Sequence, residues 1–244
     1  MPVFARDLRA PDDLLVLADG TLWVSDPVHG TLRHLSASGR TLQTIVDPEA
    51  PEGIALVPGG RLVVAEQRVN RLVALRPPSA VRTALFELPS AGTAEGLDGI
   101  KYDAARARLL VPDSPHGTLL AFREGHPSEV LAGGLGRAVD AVVGPDGAIY
   151  VTAEAKRGLL RIEGGKGVQV GSFAQADDVV TANGLLYITL IDAGEVVAVD
   201  PATGAGRTLV TGIGAAQGLA VMPDGRLAIA DSNRGEIALA RGCT

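Results

Sequence analysis

Along the chain, short apolar runs recur in pairs around a tight turn: LLVLADGTLWVSD, GIALVPGGRLVVAE, AVVGPDGAIYVTAE, VVTANGLLYITL and GLAVMPDGRLAIADS, with GIKYDAARARLLVPDS as a sixth, degenerate copy. Gly and Asn tolerate the positive φ that tight hairpins need, so each copy predicts two antiparallel strands. The turns fall at Gly20, Gly60, Arg106, Gly147, Gly184 and Gly225, spaced 40, 46, 41, 37 and 41 residues apart. That spacing is close to the roughly 40–45 residues of a four-stranded propeller blade. Two further short strands follow each hairpin, as in RLVALRP and VRTALFELP, or GEVVAVDP and GRTLVTG. Six copies of four strands predict an all-β, six-bladed β-propeller.

The two ends of the chain complete the pattern. After GEIALAR the last copy lacks a fourth strand, and PVFARDL precedes the first hairpin as a spare one. PVFARDL is therefore expected beside GEIALAR, closing the ring and removing a free sheet edge. Residues 1–244 then form one domain.

Composition narrows the function classes. The chain is 46% hydrophobic and 20% charged with a formal net charge of -6, and only 3% of it is aromatic. No basic stripe interleaved with aromatics is present, so nucleic acid is not an expected partner. No apolar run approaches the length of a membrane span. A single Cys243 excludes an intrachain disulfide framework. MPVFARDLRA lacks the apolar core of a secretory signal, so the chain reads as cytoplasmic, although an exported protein stripped of its signal would read alike.

The chemistry gathers at one place. In a propeller the residue preceding each inner strand faces one mouth of the central channel. Those positions hold Asp12 or Asp13, Glu52, Asp98, Asp140, Asp177 or Asp178, and Gln217. Carboxylates so disposed repel one another unless a cation neutralises them or some are protonated. An oxygen-only ring without Cys or His suits Ca²⁺ better than zinc. Glu52, Asp98, Asp140 and Asp178 are the expected ligands, while Glu95 in AEGLDGI is expected to cap the link before Asp98. Second strands end in Asp26, Glu66, Asp113, Glu154 and Asp231, and two of the following turns are alike, DPVHGTL and DSPHGTL. His29 and His116 thus occupy equivalent places on the same mouth, where a histidine could serve as general base. Arg68, Arg157 and Arg234 lie in corresponding turns of other blades. His34 and His126 read as surface residues, and Trp23 as core.

The segments PEGIALVPGGRLVVAE, LDGIKYD, VGPDGAIYVTAE and AQGLAVMPDGRLAIADSNRGEI make the chain resemble the group of NHL-repeat propellers and the senescence marker protein/gluconolactonase family. The resemblance spans nearly the whole chain and is mostly a blade pattern. It implies a divalent metal at the channel mouth, held in that family by a Glu, an Asn and an Asp. Glu52 matches the Glu position, and Asp98 or Asp140 the others; no inner strand here begins with Asn. Two functions stay open. One is a metal-dependent lactonase or ester hydrolase acting on a small molecule at the mouth, with His29 or His116 as base. The other is a non-catalytic NHL-type propeller that binds a ligand or a protein.

Overall fold

The apolar pairs fold into six four-stranded antiparallel sheets, one per copy, in a computed structural model that describes residues 1–89, 96–154 and 158–242. Glu95, Arg157 and Cys243 lie outside the described residues. Blade 1 runs from an inner strand Leu14–Val16 through Leu22–Asp26 and Thr31–Leu35 to an outer strand Thr41–Val46. The inner strands of blades 2 to 6 are Pro51–Val57, Lys101–Asp103, Ala138–Val143, Ala176–Ala182 and Ala216–Val221. They pack side by side in cyclic order, with the last against the first, so the ring is closed. The only helical turn among the described residues is Gln67–Val69.

Closure occurs as the spare strand predicts. Val3–Ala5 pairs with Glu236–Arg241, Val3 opposite Ala238 and Ala5 opposite Ile237. Pro2 O accepts Leu239 N–H at 2.8 Å and Gly235 O accepts Leu8 N–H at 2.9 Å. Leu8, anchored by the second of these bonds, is buried in the cluster between blades 6 and 1.

Each of the six hydrophobic clusters joins neighbouring blades. Strand alternation explains this. One face of a blade's sheet presents its apolar set to the preceding blade and the other to the following one, so both faces are covered. Fully burying one Val or Leu in such a seam is worth about 1.5–3 kcal/mol. In the degenerate third copy the left-handed turn residue is Ala107, at φ 48°, one position beyond the predicted Arg106.

Candidate functional site

At the entry to the inner strands of blades 2 to 6 the ladder gains one extra residue. In blade 4, Ala138 pairs with Ala153 but Ala141 with Val151, so three steps on one strand face two on the other. The same slip lies between Ala176 and Val179, between Ala216 and Leu219, and between Pro51 and Ile54. In blade 3 the bridge Leu97–Asp113 precedes Lys101–Leu110 with the same offset. A bulge leaves two residues opposite one and re-aims their side chains. Here it brings two successive residues of each inner strand to the channel rather than the alternate one that a regular strand would send there.

The channel is therefore lined in two layers. An upper layer, at the mouth, holds Asp12, Glu52, Asp98, Val139, Asp177 and Gln217. The layer beneath holds Asp13, Gly53, Gly99, Asp140, Asp178 and Gly218. This resolves the doublets: both acids of Asp12–Asp13 and of Asp177–Asp178 line the channel. Of the four expected metal ligands, Glu52 and Asp98 stand in the upper layer, and Asp140 and Asp178 in the lower.

The lower layer has its own partners. Asp13 Oδ2 accepts Ile54 N–H at 2.6 Å, Asp140 Oδ2 accepts Val179 N–H at 3.0 Å, and Asp178 Oδ2 accepts Leu219 N–H at 2.6 Å. Each bond runs from one blade to the next, so these carboxylates staple blades 1, 4 and 5 to their successors. A hydroxyl on the second strand holds each acid's backbone in turn: Ser25 Oγ accepts Asp13 N–H, Thr152 Oγ1 that of Asp140 and Thr189 Oγ1 that of Asp178. In the other three blades the acid is replaced by glycine and the hydroxyl by Ala65, Pro112 or Ala230. A Cβ on Gly53 would stand 2.5 Å from Asp98 O, and one on Gly218 2.1 Å from Asp12 O. Glycine is required there because the adjoining backbone comes that close.

One residue absent from the expected site completes this layer. Lys101 sits two positions beyond Gly99, in a ring of positions otherwise filled by Leu15, Ala55, Val142, Val180 and Ala220. Its Nζ lies 2.9 Å from Asp178 Oδ1, 3.2 Å from Asp140 Oδ2 and 3.5 Å from Asp13 Oδ1. Burial pulls the ammonium's pKa down, but the three carboxylates prevail and hold it well above the usual lysine range. Burial drives Asp140 well up, Lys101 opposing and Asp178 adding to the rise. Asp178 ends below the ordinary value because Lys101, Asp140 and Leu219 N–H together outweigh its burial. Of the two, Asp140 is the harder to ionise and Asp178 the easier.

The upper layer is not neutralised in this way. Glu52, Asp98 and Asp177 are buried and Asp12 nearly so. Arg137, on the link into blade 4, reaches Asp98 at 3.2 Å and also pairs with Glu154. Ser114 Oγ lies 3.5 Å from Asp98 Oδ2. Burial, compounded by Asp98 and Asp13, pushes Asp12 up to about 8. Burial likewise takes Asp98 to about 7 despite Arg137, and drives Glu52 and Asp177 well above the carboxylate range with Asp12 as their chief repelling neighbour. Seven channel carboxyls therefore face two cations, Lys101 and Arg137. The space between them is about 10 Å³, room for one water-sized particle. Among the described residues no three His, Cys, Asp or Glu side chains already stand as a formed metal cage. The donor set is nonetheless wholly oxygen and lacks compensation, which is what a hard cation requires.

The turns around the mouth are organised by the acids that end the second strands. Asp26 accepts His29 N–H at 2.9 Å and holds His29 Nδ1 at 3.0 Å; Asp113 holds His116 Nδ1 at 2.9 Å. A carboxylate can only accept, so in each pair Nδ1 carries a proton, and in the neutral ring Nε2 is then the acceptor. Pro27 and Val28, just before His29, line an open depression of about 560 Å³ with Asp12, Glu52 and Arg68. Asp231 accepts N–H bonds from Gly214, Ala215 and Arg234, tying its turn to the incoming link. His126 is exposed as expected, but His34 is only half-exposed, stacked on buried Trp23 with ring centroids 4.6 Å apart and planes 3° from parallel.

No protein-family profile matches the chain, and no curated protein matches its sequence. Solved structures do resemble it. A gluconolactonase from Xanthomonas campestris superimposes with a TM-score of 0.80 at 16% identity, over 98% of this chain and 88% of its own. The PQQ-bound aldose sugar dehydrogenase of Streptomyces coelicolor gives 0.80 at 17% identity, over 98% and 96%. Virginiamycin B lyase from Staphylococcus aureus gives 0.70 at 12% identity, over 100% and 88%. At such identities the likeness is one of architecture: the chain is a six-bladed β-propeller, built on the fold that these gluconolactonase-like and other propeller enzymes use.

Proposed function

We propose that the upper layer is a divalent-cation site, Ca²⁺ by the hardness of its donors, and that the protein is a hydrolase of lactones or esters working at that mouth. The observation carrying this reading is the charge imbalance: Asp12, Glu52, Asp98 and Asp177 converge under burial with Arg137 alone beside them, while the layer below is served by Lys101. Four buried carboxyls that share one guanidinium cost folding energy unless something further binds them. The gluconolactonase among the structural neighbours lends the substrate class.

Asp12, Glu52, Asp98 and Asp177 would hold the cation, in place of the set Glu52, Asp98, Asp140 and Asp178 expected from sequence. When bound, such a cation polarises a carbonyl and lowers the pKa of a coordinated water. Arg137, held by Glu154, keeps Asp98 oriented toward the mouth. His29 follows Pro27 and Val28, which line the depression that reaches Asp12 and Glu52, and Asp26 holds its Nδ1, leaving Nε2 as the acceptor of the neutral ring. His116 is the equivalent group in blade 3, two residues beyond the Ser114 whose hydroxyl lies 3.5 Å from Asp98. Either histidine would take the proton of the attacking water. The depression's volume accommodates a small cyclic ester or a short acyl chain beside the ring of acids.

The test is hydrolysis of a lactone and aryl-ester panel with added Ca²⁺ or with EDTA. Turnover that needs the cation and falls at least about tenfold in His29→Gln or His116→Gln supports the reading. Cation binding without turnover of any panel member would favour a binding propeller instead.

A further inference from the structure

The face opposite the mouth carries the turns between first and second strands, and there a cavity of about 160 Å³ opens between blades 2 and 3. Its walls are apolar: Val63 and Leu85 from blade 2, Tyr102 and Phe122 from blade 3. Its charged lining is biased, with Arg61, Arg108 and Arg123 against Glu124 alone, in a chain of net charge -6. Glu124 is already committed, because Arg61 of the facing blade grips both its oxygens, one at 3.2 Å.

Arg108 is the informative residue. Its side chain is 92% buried, and its Nε donates to Asp103 Oδ2 at 3.0 Å. Asp103 is shared with Arg106, so one carboxylate serves two guanidinium groups. The two terminal NH₂ groups of Arg108 have no protein acceptor among the described residues. A buried guanidinium that spends one donor and keeps a planar pair is built to take a carboxylate in bidentate fashion. An apolar cavity of about 150 Å³ is known to hold a benzene ring, and the present one is of that size.

We propose that this cavity binds a small aryl monocarboxylate of benzoate size, its ring between Leu85, Tyr102 and Phe122 and its carboxylate on the free edge of Arg108. The site is independent of the channel mouth, from which it lies across the thickness of the ring, and it stands whether or not the mouth holds a cation.

The experiment is ligand-observed ¹⁹F NMR with 4-fluorobenzoate, in EDTA so that no cation at the mouth can hold the carboxylate. Saturable binding with a Kd of about 1 mM or tighter is expected for a ligand of this size. Arg108→Gln weakens it about tenfold or more, and Leu85→Trp, which fills the cavity and leaves Arg108 and Asp103 in place, abolishes it. The mouth variant Glu52→Gln binds as the wild type does, and 4-fluorobenzyl alcohol binds at least about tenfold more weakly than the acid. Absence of saturation in the wild type, undiminished binding in folded Leu85→Trp, or equal affinity for the alcohol would each overturn the proposal.

Discussion

Replacing Lys101 by Met separates the two layers of the channel. Met keeps an unbranched apolar stem at a position whose equivalents in the other blades are Leu15, Ala55, Val142, Val180 and Ala220, and removes only the ammonium. Three buried carboxyls, at 2.9, 3.2 and 3.5 Å from Nζ, then lose their shared cation. Removing one partner of a buried ion pair typically costs about 3–5 kcal/mol, because the remaining charge stays desolvated. In a domain of this size each kcal/mol lowers Tm by about 2–4 °C, so the melting point should drop by about 6–20 °C. Asp178 is the carboxyl nearest Nζ and the one whose pKa is lowered, and Asp178→Asn retains an oxygen for Leu219 N–H. The double variant Lys101→Met/Asp178→Asn should therefore be more stable than the sum of its singles by at least about 1 kcal/mol. Urea unfolding of the four proteins at neutral pH measures that coupling. A Lys101→Met protein within about 1 kcal/mol of wild type, or strictly additive losses, would refute the view of Lys101 as the lower layer's counter-ion.

Two further outcomes follow from other parts of the ring. Gly53→Ala should lower stability by about 1–3 kcal/mol or more, since its Cβ would lie 2.5 Å from both Asp98 O and Ile100 N and force blades 2 and 3 apart; an unchanged urea midpoint would contradict the close approach. His34, stacked on the chain's single Trp, has its pKa lowered by burial, with Asp19 only partly offsetting this. The unfolded chain therefore takes up that proton first, so this contribution to stability is full above about pH 6.5 and is lost as pH falls through the folded pKa. A Trp23 fluorescence titration should show a midpoint below about 6.5 that disappears in His34→Gln, whereas a midpoint above that value would reverse the sign.

The blades were legible because their turns are. Gly20, Gly60, Gly147, Gly184 and Gly225 all sit at positive φ in first-to-second-strand turns. No substitute for glycine is comfortable there, so the repeat marks itself. Copy three, which uses Ala107 instead, was located one residue away. The acids were legible as a group for a related reason: each precedes an apolar inner strand. Their layering was not, because strand reasoning rests on a period of two, and bulges at the inner-strand entries of blades 2 to 6 break that period where the acids lie. Asp140 therefore belongs beneath Asp98 rather than beside it, with Val139 facing the mouth in blade 4. A signal for this did exist in the pairing of acid with hydroxyl, Asp13 with Ser25, Asp140 with Thr152 and Asp178 with Thr189, against glycine with Ala65, Pro112 or Ala230. Lys101 carried one as well, being the lone charge in a ring of apolar positions. His34 reads as surface on an outer segment; only cross-strand pairing with Trp23 reveals the stack.

The upper layer holds more carboxyls than Arg137 alone can neutralise, and that excess is what a bound cation would answer. The most direct test is calorimetric titration of chelator-stripped protein with Ca²⁺, repeated on Glu52→Gln, Asp98→Asn and Thr189→Val. One site per chain, lost in the first two variants and kept in the third, whose hydroxyl serves only the lower layer, is the predicted result. No binding by the wild type, or binding untouched by Glu52→Gln and Asp98→Asn, would contradict it.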